Sequence, residues 1–351
     1  MKLTVLFILT LSINLLNAQN FNSDKGGKTY NFSYPANEIS TLKIENQYGN
    51  IVYSGAPKDE VTIDVTVTIE NPDDEEAPEI LQKININPKL SNKTLEIVTQ
   101  LSRIYYSGNK ISVTYLISGP SKLALIFNNQ FGDIEVDTFT GNAEMTIDNG
   151  NLSITGFFSS LKLNAKNGKI NLPEINTVNA NISNTNLLLK KVEIMEIEAE
   201  YATINIENAG KAIVKGFLCE LFFDKVDNLS VFGAQNFVKC KSIKSEALFE
   251  IQKGSINIGR ILQSTQNISA TVSETPIQLG IDASMAYALH GEIKNGNFEH
   301  PKKAELRIFR EGKTLSFNGL INKQGSNDNL SSIILFSENS DITIKHIVIS
   351  E

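Results

Sequence analysis

An aliphatic residue that directly follows a turn returns at nearly constant spacing along most of the chain, and few folds tolerate such regularity. The anchors are Ile134, Leu152, Ile170, Leu187, Ile204, Leu221, Val238 and Ile256, at steps of 18, 18, 17, 17, 17, 17 and 18 residues. A fixed period of this length is the signature of stacked repeats, each of which buries its apolar face only against its neighbours. Within each unit the apolar residues alternate, as a strand with one buried face requires. Nine, seven and five residues before successive anchors stand Ala143, Met145 and Ile147, then Leu161, Leu163 and Ala165, then Val178, Ala180 and Ile182. The same columns continue to Ala247, Phe249 and Ile251. The anchor and the residue two further on supply a second strand, as in Leu152 with Ile154 or Ile204 with Ile206.

These columns predict an all-β fold, a right-handed parallel β-solenoid (β-helix) with about 17–21 residues per coil. Like strands at constant spacing pair in parallel one coil apart, and parallel crossovers are overwhelmingly right-handed. A left-handed hexapeptide helix has coils of similar length, but the chain shows no six-residue subperiod. Gly132, Gly150, Gly168 and Gly254 stand two before their anchors, where a positive φ or a tight corner suits glycine. Thr185, Ala202 and Cys219 take that place in the middle units.

Both ends are less even. Ile44 to Ile51 echoes Phe127 to Ile134, and Val61–Ile69, Leu95–Val98 and Ile111–Ile117 read as further strands. An irregular N-terminal β cap is therefore expected over 19–120, with the solenoid over 121–351. Toward the C-terminus the steps lengthen to 21, at Ile277 and Phe298. A hairpin is expected around Arg310-Glu311-Gly312-Lys313, and a last unit, Ile333 to Ile344, is expected to end the stack.

Residues 1–18 carry an early Lys2, an apolar run to Leu16 and a small residue at Ala18. That pattern predicts a signal peptide cleaved after Ala18, and hence export to the periplasm, the outer membrane surface or the extracellular space. No later stretch approaches the roughly 20 apolar residues of a membrane helix, so no transmembrane segment is expected after signal cleavage. The formal charge of -7 becomes -8 without Lys2, and with no basic stripe a nucleic-acid partner is excluded. Cys219 and Cys240 fall at different positions in successive units and are expected to be unpaired.

The segments Asn46-Gln47-Tyr48-Gly49-Asn50-Ile51, Phe131-Gly132-Asp133-Ile134, Asn149-Gly150-Asn151-Leu152 and Asn167-Gly168-Lys169-Ile170 resemble the adhesin-like family of exported bacterial β-solenoids, a domain of unknown function. The resemblance spans most of the chain beyond Ala18 and is strongest from Ile111 to Ile258. It implies a right-handed β-solenoid in the cell envelope or on the surface, and no established activity.

Chemistry-bearing residues are sparse. His290, His300 and His346 have no Cys or carboxylate at ligand spacing, and Asp73-Asp74-Glu75-Glu76 lacks the spaced oxygens of a calcium loop; no metal and no cofactor is expected. The column six before the anchor runs Asn128, Thr146, Asn164, Asn181, Glu198, Lys215, Phe232, Glu250 and Thr271. Its asparagines suit amide ladders, and Glu198 with Lys215 reads as an exposed ion pair. Parallel β-helices also carry polysaccharide lyases and glycosidases, which makes that chemistry the alternative reading, by analogy of fold. Asn46 and Asn129 point inward and need partners, which turn backbone can supply. The candidate binding residues are the outward apolar side chains Ile213, Phe232 and Leu248 in three successive units, with Phe222 and Leu188 posing the same question on another face. The expected function is an adhesin-like binding or structural scaffold without catalysis, its partner an envelope carbohydrate or a surface protein.

Overall fold

A computed structural model describes residues 18–22, 27–70, 77–101, 110–302, 304–322 and 330–348. The predicted signal peptide and the acidic segment 73–76 lie outside them, Ala18 excepted. Among the described residues every strand joins one hydrogen-bonded sheet, and the helical content is a 3-10 turn at Ala36–Glu38 and an α-helix at Ala77–Gln82. No helix among them is long and apolar enough to cross a membrane.

The alternation seen in the sequence becomes two parallel ladders. In the first, Ala143 pairs with Leu125 on one side and Leu161 on the other, and Ala212 lies between Met195 and Leu229. In the second, the anchors stack upon one another: Ile134 on Leu152, Leu152 on Ile170, Ile204 on Leu221, Leu221 on Val238 and Val238 on Ile256. The register therefore follows the repeat, because a slip of one residue would turn every buried side chain outward. Each layer also contributes an inward residue that alternation did not reveal, five or six after the anchor: Phe139, Phe158, Ile175, Val192, Ala209, Val226 and Ile243, all buried. This column tapers from aromatic to small and back to aliphatic, and its first rings pack at 4.7 Å between centroids. Each such buried aliphatic contributes roughly 1.5–3 kcal/mol over exposure.

The ends depart from chain order, and there the sheet is mixed rather than purely parallel. At the N-terminal end, strand Thr41–Gln47 lies between Thr94–Leu101 and Ala124–Gln130, parallel to both. The echo between residues 44–51 and 127–134 is a stacking relation, with Ile44 on Phe127 and Ile51 on Ile134. Antiparallel strands Gly27–Pro35, Glu60–Glu70 and Ile84–Ser91 flank this region. At the C-terminal end the expected hairpin is present, with Leu306–Glu311 against Thr314–Ile321. The unit expected to end the stack does not end it. Strand Ser331–Glu338 lies between Asn267–Ser273 and Tyr287–Lys294, and Ile342 separates Ile277 from Phe298. Backbone ladder bonds carry no residue identity, so the apolar columns alone cannot say which strand comes to lie between which.

The corner before the anchor also differs in detail from expectation. The positive φ falls on the residue before the glycine: Phe131 at 57°, Asn149 at 56° and Asn167 at 57°. Glycine is required one position later for space. A Cβ on Gly150 would stand 2.0 Å from the Gly132 carbonyl oxygen, and one on Gly168 would stand 1.9 Å from that of Gly150.

Candidate functional site

The outward face of the first ladder is concave over seven layers and forms a groove of about 820 Å³ running along the stack. Its side chains come from two columns, six and four residues before the anchors, which alternation places on the same face as one another. At one end are Asn128, Gln130, Thr146 and Asp148; in the middle Asn164, Lys166, Asn181 and Ser183; at the other end Glu198, Glu200, Lys215, Phe217 and Phe232. The outward column read from the sequence is thus brought together as the floor of a groove, through Phe232.

Amides dominate the first half. Asn181 donates to the Asn164 side-chain oxygen at 3.2 Å, the amide ladder that the column predicts. A second ladder runs along the adjoining corner, where Asn167 donates to Asn149 at 3.1 Å and Asn184 to Asn167 at 3.3 Å. Asparagine fits these corners because its φ is positive at each, and a short polar side chain tolerates that conformation.

Charge and rings mark the other half. Lys215 Nζ lies 3.0 Å from Glu198 and 3.3 Å from Glu196, and hydrogen bonds to the two carboxylates, Glu198 first, raise its pKa. The pair is exposed, so it orders side chains more than it stabilises the fold. Phe217 is 40% exposed and meets Tyr201, 54% exposed, edge to face at 5.8 Å between centroids. Leu218 stands beside them, also exposed.

The apolar residues singled out from the sequence occupy this neighbourhood in part. Phe232 lines the groove, half-buried between Lys215 and Glu250 in the ladder. Ile213 and Leu248 share the next column, half-buried, with Ser230 between them. On the second ladder, Asn205 separates Leu188 from Phe222. The more exposed apolar cluster is Tyr201, Phe217 and Leu218. Its signal was present in the sequence, in the column three before the anchor, where Asn149, Asn167 and Asn184 give way to Tyr201 and Leu218.

The core also holds polar side chains whose partners are mostly turn backbone, although the buried side-chain oxygen of Asn129 has no hydrogen-bond partner. Asn236 fills the corner position taken by glycine elsewhere; its amide donates to the Gly216 carbonyl at 2.7 Å and its oxygen accepts from the Cys219 N–H at 3.2 Å. Asn46 donates to the carbonyls of Gly49 and Val113 and accepts from Thr99, and Asn129 donates to those of Gly49 and Asp133, as inward asparagines were expected to do. Cys219 and Cys240 are buried and unpaired; burial raises both thiols, Cys240 to about 12. His290 is exposed, His300 bonds the adjacent Pro301 carbonyl, and His346 lies 3.1 Å from Tyr287 Oη, its pKa lowered by burial. Among the described residues no three metal-binding side chains gather.

No family model and no curated protein matches the chain. Solved structures similar to it include a putative adhesin from Parabacteroides merdae, 14% identical, with a TM-score of 0.38 over 90% of this chain and 95% of that one. Another putative adhesin, from Parabacteroides distasonis, is 11% identical, with a TM-score of 0.36 over 92% of this chain and 98% of that one. A putative lipid binding protein from Parabacteroides distasonis is 10% identical, with a TM-score of 0.28 over 90% and 96% of the two chains. At these scores none of them bears on the groove.

Proposed function

We propose that the chain is an exported, right-handed parallel β-solenoid of the cell envelope or surface, an adhesin-like scaffold that binds and does not catalyse. The observation that carries this reading is the groove itself, a continuous concave surface across seven layers laid over an unbroken apolar core. A stack of in-register strands is stiff and holds side chains at fixed intervals of about 4.8 Å, which suits the display of an extended surface. Export is supported by the pattern of residues 1–18. A binding rather than catalytic role is supported by the chemistry of the groove. Glu198 and Lys215, its strongest candidates for acid–base work, are bonded to one another.

The test uses fluorescently labelled protein against envelope fractions, intact bacterial cells and glycan arrays. Saturable retention on at least one of these is the expected result, and indifference to all three would remove the reading. Incubation with acidic polysaccharides, followed by ultraviolet absorbance of unsaturated products and by reducing ends, is expected to show no turnover. Product formation would replace the scaffold with a lyase or glycosidase.

A further inference from the structure

We infer that the groove takes an uncharged glycan chain lying along the stack, with a sugar ring seated on the exposed pair Phe217 and Tyr201. The inference rests on the binding reading above and names the ligand class of that groove.

The first observation is the pair of exposed rings beside the groove. The corner residue three before each anchor has φ near 55°, a conformation costly for side chains other than glycine and asparagine. Three successive layers use asparagine there and gain an amide ladder. The next two layers use Tyr201 and Leu218, with φ of 54° and 55°, and expose both side chains. Phe131, Gln235 and Lys253 hold the same corner in other layers at similar φ, and what sets Tyr201 apart is its contact with Phe217, an exposed ring that lines the groove. Two adjoining aromatic rings kept in water form a surface for stacking.

The second observation is the chemistry of the rest of the floor. Asn128, Asn164, Asn181 and Gln130 offer both donors and acceptors in planar pairs, the complement of a ligand rich in hydroxyls. The charges of the groove are mixed: Asp148, Glu198 and Glu200 against Lys166 and Lys215, with Lys215 already held by two glutamates. No cationic surplus remains to recruit a uronate or phosphate polymer. An acyl chain would require apolar side chains along the whole floor, whereas the rings that line it, Phe217 and Phe232, are at one end, and Phe131, exposed at the opposite corner, is stacked on Tyr48. A chain of neutral sugars meets both halves, since its hydroxyls face the amides and an apolar ring face meets Phe217. Lying along the stack, such a chain meets layers spaced about 4.8 Å apart.

Affinity electrophoresis of the full-length protein through gels containing soluble β-glucan, galactomannan or xylan tests the proposal. Retardation is expected in at least one neutral polymer, and none in polygalacturonate. Phe217→Ala and Tyr201→Ala are each expected to weaken retention at least tenfold, with urea unfolding curves that confirm an intact fold. Phe309→Ala, at a ring 66% exposed on the C-terminal hairpin, is expected to leave retention unchanged. The proposal is overturned if no neutral polymer retards the protein, if Phe217→Ala binds as wild type, or if Phe309→Ala weakens binding as much. Preference for polygalacturonate, or co-sedimentation with phosphatidylglycerol vesicles in place of glycan binding, overturns it as well. Envelope binding that survives Phe217→Ala removes this ligand and leaves the scaffold standing, whereas loss of every interaction removes both.

Discussion

The layers anchored at Ile134, Leu152 and Ile170 and those anchored at Leu187 to Val238 share one repeat but build its corner in opposite ways. In the first group the corner residue is glycine, and its backbone lies so close to the layer before it that a Cβ would collide with a carbonyl oxygen. In the second group the corner carries a side chain, and Thr185, Ala202, Cys219 and Asn236 all turn it into the core. For Cys219 and Asn236 the room comes from the inward strand. Gly216 and Gly233 replace the larger residues of earlier layers, and a Cβ on Gly216 would lie 2.6 Å from the Asn236 side-chain oxygen. Around Asn236 the corner and the strand five before the anchor therefore share a volume, which the corner side chain fills, whereas in the layer of Leu187 both Ile182 and Thr185 are buried. Outward, Asn149 and Asn167 pair beside the first group, whose first corner also exposes Phe131, and Tyr201, Phe217 and Leu218 are exposed beside the second.

The largest expected effect comes from moving a side chain into the glycine-cornered group. Gly150→Ala should lose about 2–3 kcal/mol in urea unfolding, since the colliding atom is backbone and cannot swing away. A loss below about 0.5 kcal/mol, the level of ordinary surface changes, would break the distinction between the groups. Asn236→Ala should cost about 2 kcal/mol, by leaving the Gly216 carbonyl and the Cys219 N–H without their partners in a buried site. Gly216→Ala should also destabilise on its own. Combined with Asn236→Ala it should cost less than the two single changes together, and a double-mutant cycle showing plain additivity would deny the shared volume.

The reverse exchange is smaller. Cys219→Gly brings the glycine corner into the second group, where it should destabilise by about 1 kcal/mol because it leaves a small void and a freer unfolded chain. Stabilisation by Cys219→Gly would mean that the corner is strained in every layer alike. The smallest effect is a gain. Leu218→Asn should raise stability by about 0.5–1 kcal/mol, read from the shift in urea midpoint, by relieving the positive φ of an exposed aliphatic residue. The same substitution sharpens the functional argument, because stability and rim chemistry then pull in opposite directions at one residue.

Much of this was legible before any coordinates. Met145, Leu163 and Ile197 are buried where the columns place them, and Glu198 meets Lys215 as adjacent positions of one column should. Amide pairing of Asn164 with Asn181 follows from the same spacing. Tyr201, at a corner, and Phe217, in the column four before the anchor, escaped notice because an apolar residue at either place looks like any other until its exposure is known. The missing space behind Gly150 was equally hidden, since glycine at a turn first suggests a positive φ, and here its neighbour Asn149 takes that role.

Sequence alone determined the period, the strands and which side chains turn inward, because hydrophobic burial acts residue by residue and leaves its alternation in the chain. Tertiary structure decided which strands become neighbours at the ends. Residues 41–55 lie against 94–98 and 115–119 on one side and 124–137 on the other, and residues 331–347 enter between 267–282 and 287–299. A backbone ladder accepts any strand of fitting length, and closing the intervening loop costs entropy that grows only slowly with its length. The concavity of the outer face, and with it the groove, is likewise a property of the assembled stack, to which each layer contributes only two outward side chains.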